Sequence, residues 1–259
     1  MSIMRAVCIL VVIFSACARQ ESGPPPPFLS EQEAAVAASL EGPQAYWEDW
    51  FTQADSADLN QYLSSAIRID EAGQVDSIGQ QPDLMLEKSS QTLLKLQAVG
   101  RDSQHVYTLH RINRDEQLDL AELAIWNRSS DGPMRELVFI APYQEHISDS
   151  GAIASARDRW IQYCNAHEVD RLINEVYTPN SLYYNHKPLV RGRRALIDEY
   201  AYMANPEYHL WLDPLHLEAV SDDIYIELGQ CYGSYGGQYI IVWQRQDSGD
   251  WMVLFDSNK

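Results

Sequence analysis

Two distant stretches of this chain read almost alike, and that similarity constrains the fold more than any other feature. Leu94–Val99 (LKLQAV) matches Leu215–Val220 (LHLEAV) at a separation of 121 residues. An internal repeat implies that the fold is built from two units of the same kind. We therefore expect two tandem domains, a first and more degenerate one over residues 30–145 and a second one over residues 150–259.

Further matches follow in the same order along the two halves. They pair Trp47 with Trp160, Gly79 with Gly192, Val106-Tyr107 with Ile224-Tyr225, and residues 124–128 with residues 241–245. Their separations of 113 to 118 residues differ only slightly, which short loop insertions explain. Five matches in one order are hard to attribute to chance.

The second half shows its pattern of elements most clearly. Trp160, Ile161 and Cys164 recur at helical spacing. Further helices are predicted around Leu172–Tyr177 and over Arg193–Met203, and an extended piece over Ser181–Tyr184. The predicted strands are Leu215–Val220, Ile224–Tyr232, Gln238–Arg245 and Trp251–Phe255. Helices followed by antiparallel strands predict an α+β fold rather than α/β.

The N-terminus is typical of an exported protein. Arg5 precedes an apolar run and the small residues Ser15 and Ala16, which is the pattern of a secretory signal over residues 1–16. The run is too short to span a bilayer. Phe14 to Cys17 resembles the lipobox of bacterial lipoproteins, which implies cleavage before Cys17 and acylation of its thiol. The alternative is an ordinary signal peptide in which Cys17 has no role.

Residues 17–29 form the predicted tether between anchor and folded body. Four consecutive prolines favour an extended, semi-rigid spacer. Ala18 stands where an aspartate would resemble an inner-membrane retention signal. We therefore expect a lipid-anchored protein of the cell envelope, facing the periplasm from the outer membrane, with the lipid bilayer as its partner.

Composition excludes several classes of function. The chain has 19 Lys and Arg against 37 Asp and Glu, a net charge of -18. Nucleic acids and anionic lipid surfaces are recognised by clustered basic residues, so neither is an expected partner. No CxxC, HxxxH or HExxH spacing is present, and we expect neither a metal nor a cofactor. Cys164 and Cys231 either form a disulfide or remain buried thiols.

Several motifs of the second half resemble the nuclear transport factor 2-like superfamily, and its SnoaL-like and function-unknown bacterial branches in particular. These motifs are Trp160, Asp170-Arg-Leu, Val176-Tyr-Thr-Pro-Asn180, Val190-Arg-Gly192, Gly237-Gln-Tyr239, Val242-Trp-Gln-Arg245 and Gly249-Asp-Trp251. The resemblance implies a cone-like, curved antiparallel sheet around helices, with a pocket at its open end. It also implies pairing through the sheets, so the two domains are expected to form an intramolecular pseudo-dimer. Such folds host many functions, and the fold alone does not choose among them.

Candidate site residues come from the second half. Glu227 and Tyr239 each sit in an otherwise apolar strand and are expected to point into the cone. A carboxyl group buried there without a cation would suit a general base. The further catalytic candidates are His186 and Asp256, and the ligand-binding candidates are Tyr183 and Trp243. Each of them also has a purely structural interpretation, as a core, turn or loop residue.

The first half serves as a comparison for these candidates. The separations above place Leu109 opposite Glu227, Glu122 opposite Tyr239, and Phe139 or Ile140 opposite Asp256. Because the polar set is not repeated, any pocket chemistry is expected in the second domain. We favour a non-enzymatic envelope lipoprotein that binds a small ligand or a protein. The alternative is an isomerase, dehydratase or hydrolase acting on a small apolar substrate in the second domain.

Overall fold

The computed structural model describes residues 41–53, 67–77, 89–99, 104–114, 119–129, 132–144, 150–185 and 188–259. The predicted signal peptide and tether, Cys17, Gly79 and His186 lie outside these residues. Within the described ranges, no helix has both the length and the apolar character needed to cross a membrane.

The first half contains one described helix and six strands. The helix is α1, Glu41–Gln53. The strands are β1 Ile67–Asp70, β2 Val75–Ser77, β3 Ser89–Val99, β4 His105–Arg114, β5 Leu120–Ser129 and β6 Gly132–Pro142.

The second half begins with helices and continues with strands, as predicted. Its helices are α2 Ser150–Asn165, α3 Val169–Val176 and α4 Gly192–Glu199, followed by a 3-10 turn over Ala201–Ala204. Its strands are β7 Tyr177–Tyr184, β8 Val190–Arg191, β9 Leu210–Ala219, β10 Ile224–Gly233, β11 Gln238–Arg245 and β12 Trp251–Asn258.

The helix predicted over Arg193–Met203 is interrupted. Regular α-helix ends at Glu199, and the chain tightens into the 3-10 turn. Side chains three residues apart lie on the same side of a 3-10 helix. Tyr200 and Met203, each 1% exposed, therefore both enter the core.

The described strands form two six-stranded sheets with the same order of strands. The first runs β2-β1-β6-β5-β4-β3 and the second β8-β7-β12-β11-β10-β9. Neighbouring strands are antiparallel except for β1 with β6 and β7 with β12, which are parallel. The structure thus confirms two tandem α+β, cone-like units, and each curved sheet is mixed rather than wholly antiparallel.

Irregularities of pairing also fall at matching places in the two sheets. The register shifts by one residue where β3 pairs with β4 and where β9 pairs with β10, and the extra residues are Leu94 and Leu215. Glu136 of β6 and Leu254 of β12 are extra residues of the same kind. β-bulges bend and twist a strand locally, so the two sheets bend at equivalent points.

The strand register corrects two of the predicted correspondences. Trp126 pairs with Val106, whereas Trp243 pairs with Tyr225. If the two tryptophans correspond, Glu227 matches Thr108 and not Leu109. A shift by one residue moves a side chain to the opposite face of the sheet, and Leu109 does face away from the side on which Glu227 lies.

The second correction concerns Asp256. Asp256 pairs with Ile241, and Val138 pairs with the corresponding Ala124. The counterpart of Asp256 in the first unit is therefore Val138. The predicted counterparts, Phe139 and Ile140, lie one and two residues further along β6. With these corrections, the polar side chains of the second unit are still not repeated in the first.

The two sheets pack against each other through one face of each. The first sheet contributes Tyr107, Leu109, Leu123, Ile125 and Leu137 to the shared apolar cluster. The second sheet contributes Ile224, Ile226, Leu228, Ile240 and Val242, among others. We call this the central cluster. In β10 the residues between these, Tyr225 and Glu227, face the helices, as the alternation predicted.

Candidate functional site

A cavity of about 370 Å³ lies inside the second unit, on the helix side of its sheet. Ligand pockets in proteins measure about 300–1,000 Å³, so this one suits a small organic molecule. Its apolar lining comes from Trp160, Met203, Leu210, Leu212 and Ile241. Its polar lining includes the carboxyl groups of Asp256 and Glu199 and six tyrosines. The tyrosines are Tyr183, Tyr200, Tyr202, Tyr208, Tyr235 and Tyr239.

Most of the tyrosine rings contact one another. Tyr200 packs edge-on against Tyr183, with centroids 5.1 Å apart, and against Tyr202 at 6.1 Å. Tyr202 continues to Tyr208 at 5.2 Å. Edge-to-face aromatic pairs favour such geometry and hold each ring in place. One side of the cavity is thus a continuous aromatic wall supplied by β7, the 3-10 turn and the segment before β9.

Asp256 of β12 is a buried carboxyl group that lines the cavity. The hydroxyls of Tyr177 and Tyr200 both donate to its Oδ2, at 2.7 and 2.5 Å. Trp160 Nε1–H donates in turn to the Tyr177 hydroxyl at 2.9 Å. Burial raises the pKa of Asp256 to about 6, although these hydroxyls and the Ser257 backbone act to lower it. This carboxyl group therefore changes its charge near neutral pH, as a general acid or base requires.

Glu227 is fully buried inside the cone, as predicted, but it is not among the residues that line the cavity. Arg157 of α2 binds both carboxylate oxygens, from Nε at 2.8 Å and from Nη2 at 3.0 Å. Tyr239 donates to Oε1 at 2.6 Å, and Trp243 Nε1–H donates to Oε2 at 3.1 Å. Both side chains thus point into the cone, but only Tyr239 lines the cavity, because four donors hold the Glu227 carboxylate behind the cavity wall.

Sequence reasoning missed Arg157. Burial alone would lower its pKa, but the hydrogen bonds and charge of Glu227 outweigh that effect and raise it. Arg157 lies one turn before Trp160 on the predicted helix and is 9% exposed. A basic residue at a core-facing position of that helix was the available signal, since a buried charge needs a partner.

The remaining candidates divide between cavity and core. Tyr183 lines the cavity, and its hydroxyl donates to Asn258 at 3.1 Å. Trp243 is fully buried, bonded to Glu227, and is not a lining residue. His186 lies outside the described residues. The Cys164 thiol contacts Met203 Sδ at 3.8 Å, and both it and Cys231 are free; burial raises the pKa of Cys164 to about 12.

Large side chains occupy the corresponding interior of the first unit. Trp47 and Trp126 are buried there, with Trp50 between them. Beside them, Arg135 Nη1 binds Glu122 Oε1 at 2.5 Å, and both residues are buried. Burial lowers the pKa of the neighbouring His110 to about 4, so that this imidazole is neutral at physiological pH. The charges of Arg135 and Glu122 therefore compensate each other within the core.

No protein-family model matches the chain, and neither does any curated protein sequence. Among solved structures, it is similar to an NTF-2 like protein of unknown function from Silicibacter pomeroyi, with 11% identity, a TM-score of 0.36, and coverage of 42% of this chain and 92% of the other. It is also similar to an NTF-2 like protein of unknown function from Shewanella oneidensis, with 11% identity and a TM-score of 0.38. That match covers 42% of this chain and 97% of the other.

A ketosteroid isomerase-like protein from Erwinia carotovora is similar with 13% identity and a TM-score of 0.37. That match covers 43% of this chain and 96% of the other. Each match spans less than half of this chain. The α+β assignment therefore depends on the strand order and helix positions described above.

Proposed function

We propose that this protein is a cell-envelope lipoprotein of the nuclear transport factor 2-like type whose second unit binds a small organic molecule. The cavity of about 370 Å³ carries the proposal. It combines a largely apolar and aromatic lining with a few hydrogen-bonding groups, which is the usual make-up of a ligand pocket. The first unit, whose interior is occupied by Trp47, Trp126 and an ion pair, supports the second as scaffold, in a pseudo-dimer joined by the central cluster.

The binding role is tested with a variant that fills the cavity. Leu212 of β9 lines the cavity, so Leu212→Trp should remove any small molecule that co-purifies with the protein. Leu215→Trp is the matched control, because Leu215 lies on the same strand but is 52% exposed. Native mass spectrometry of all three proteins measures the bound mass. A co-purified mass that Leu212→Trp retains would contradict a ligand in this cavity.

The lipid anchor is tested separately. Acylation needs the Cys17 thiol, so Cys17→Ser should abolish lipid labelling and move the protein from the detergent phase to the aqueous phase. Stable anchoring needs more than one acyl chain. All of these chains would be attached at Cys17, so loss of this residue should release the protein completely. Normal processing and continued fractionation of Cys17→Ser with membranes would refute the lipoprotein assignment.

A second candidate function is proton transfer to or from the bound molecule. Asp256 favours it, because its carboxyl group lines the cavity, has a pKa of about 6 and is oriented by Tyr177 and Tyr200. A general base at this place would exchange a carbon-bound proton of the ligand with solvent. Incubating the protein with its co-purified ligand in D₂O, followed by mass spectrometry, detects that exchange. Exchange should stop in Asp256→Asn while the ligand stays bound; exchange at the wild-type rate would exclude Asp256.

A further inference from the structure

The described lining of the cavity has an unusual balance of charge. Two of its residues, Asp256 and Glu199, are acidic, and no Lys, Arg or His is among the described residues that line it. Arg157, a buried cation of the second unit that does not line the cavity, already binds both oxygens of Glu227. An anionic ligand would therefore meet two carboxylates, and no described lining residue would supply a positive charge to bind it.

The six tyrosines of the lining also favour a positively charged ligand over an anionic one. The face of an aromatic ring carries negative electrostatic potential, and cations bind to it, most strongly where water is excluded. Cages of aromatic rings are the usual means by which proteins recognise quaternary ammonium groups. Tyr183, Tyr200, Tyr202 and Tyr208 form such a wall through successive edge-to-face contacts, and Trp160 is a further aromatic lining residue.

We propose that the ligand of this cavity is an organic cation, a small amine or quaternary ammonium compound. Its charged group lies between the carboxylates of Asp256 and Glu199 and the tyrosine faces, and its apolar body lies toward Leu210, Leu212 and Ile241. The inference rests on the proposed ligand-binding function and specifies the chemistry of the ligand. The net charge of -18 adds to it, because a negative protein attracts cations from solution.

Three probes of nearly the same size and shape separate charge from volume. Choline is cationic, 3,3-dimethylbutan-1-ol is its neutral counterpart, and 3,3-dimethylbutanoate is anionic. Titration of the purified protein, monitored by calorimetry, should show choline binding about tenfold more tightly than the alcohol, as expected for a partly desolvated cation on aromatic faces. The anion should not bind measurably.

Variants locate the interaction. Glu199→Gln removes one carboxylate of the lining and should weaken choline binding about two- to fivefold, the usual range for a partly exposed ion pair, without changing the affinity for the alcohol. Glu207→Gln is the matched control, because Glu207 is exposed and does not line the cavity. It removes the same charge from the protein and should leave both affinities unchanged. Equal effects of the two variants would show that only the overall charge matters and would overturn the proposal.

The outcomes distinguish this inference from the proposed function. Binding of the alcohol as tight as that of choline, or binding of the anion, would overturn the cation preference and leave the ligand cavity standing. If none of the three probes binds and no mass co-purifies, both the inference and the proposed function fail. Binding of choline that Leu212→Trp does not reduce would place the cation elsewhere and would also refute the inference.

Discussion

At the scale of single residues, two buried carboxyl groups of the second unit differ because their partners differ. Glu227 is bound by a guanidinium group, a hydroxyl and an indole N–H. Asp256 receives two tyrosine hydroxyls and lies near no basic residue of the described cavity lining. A buried carboxylate is stable when a cation compensates it, whereas burial with neutral donors favours the protonated form. The first is therefore structural, and the second is available for function.

Breaking the ion pair from the Arg157 side should destabilise the protein strongly. Arg157→Met leaves the buried Glu227 charge with neutral partners only, which costs about 3–5 kcal/mol in comparable cases. The double variant Arg157→Met with Glu227→Gln removes the unpaired charge and keeps an acceptor for Tyr239, so it should recover most of the loss. Denaturant unfolding of the variants measures the free energy of unfolding. A double variant as unstable as the single one would show that charge compensation is not the role of Arg157.

Asp256 should make the protein less stable as the pH rises. Its pKa is raised from 3.8 to about 6 on folding, so its stabilising contribution is complete below the unfolded pKa and is lost as the pH passes about 6. The difference corresponds to about 3 kcal/mol. Asp256→Asn should therefore be more stable than the wild type at about pH 8 and similar at about pH 4. A gain that is equal at both pH values would argue against titration of Asp256.

At the scale of elements, the turn between β10 and β11 forms part of the cavity lining through Ser234 and Tyr235. Gly233 at its start has φ +111°, and a Cβ there would approach the His209 carbonyl oxygen to 2.3 Å. Only glycine adopts such a conformation readily. A Cβ at Gly236, in the same turn, would meet no atom within 4 Å. The two glycines thus provide an internal comparison within one turn.

Gly233→Ala should lower the free energy of unfolding by about 1–3 kcal/mol. Alanine would be strained in the backbone conformation of Gly233, and its Cβ would force the segment before β9 to shift. Gly236→Ala should be neutral or slightly stabilising, since alanine restricts the unfolded chain. Thermal unfolding compares both with the wild type. Equal midpoints for the two variants would show that the turn relaxes and that the β9–β10 contact is not rigid.

At the scale of the whole molecule, each unit has a buried cluster of its own on the helix side of its sheet, and the two units also share the central cluster. Ile226 and Val242 of the second sheet and Tyr107 and Leu109 of the first are all fully buried in it. Hydrogen bonds also cross between the units, from Tyr143 to Glu218 at 3.0 Å for example. Burial of apolar area is the main favourable term in folding. The units are therefore expected to unfold together.

The full chain should unfold in one cooperative transition, followed by circular dichroism and by tryptophan fluorescence. Ile226→Ala should shift that single transition, at a cost of about 2–5 kcal/mol for a buried isoleucine. Met134→Ala is the control, because Met134 is 36% exposed and its truncation should have little effect. Two separate transitions, with only one of them moved by Ile226→Ala, would contradict a shared core.

The sequence alone was sufficient for the α+β class, for the order of elements in the second half and for the inward face of β10. Hydrophobic periodicity depends only on local geometry, so the alternation in β10 correctly placed Glu227 inside the cone. Repeated motifs likewise predicted two units, and their edge strands β3 and β9 do occupy equivalent places. Strand register was less accessible, because a shift of one residue preserves the sequence similarity but reverses the face, as with Leu109 and Thr108.

Only the tertiary structure decided which polar groups meet. Glu227 and Arg157 are 70 residues apart in sequence, and Asp256 lies 79 residues from Tyr177. Whether such groups come within hydrogen-bond distance depends on how helices dock on the sheet and on the reach of each side chain, and periodicity carries no information about either. For that reason the sequence identified both carboxyl groups as candidates but ranked Glu227 above Asp256. The docking of α2 on the sheet, from which Arg157 reaches Glu227 of β10, supplied the guanidinium that reverses this order.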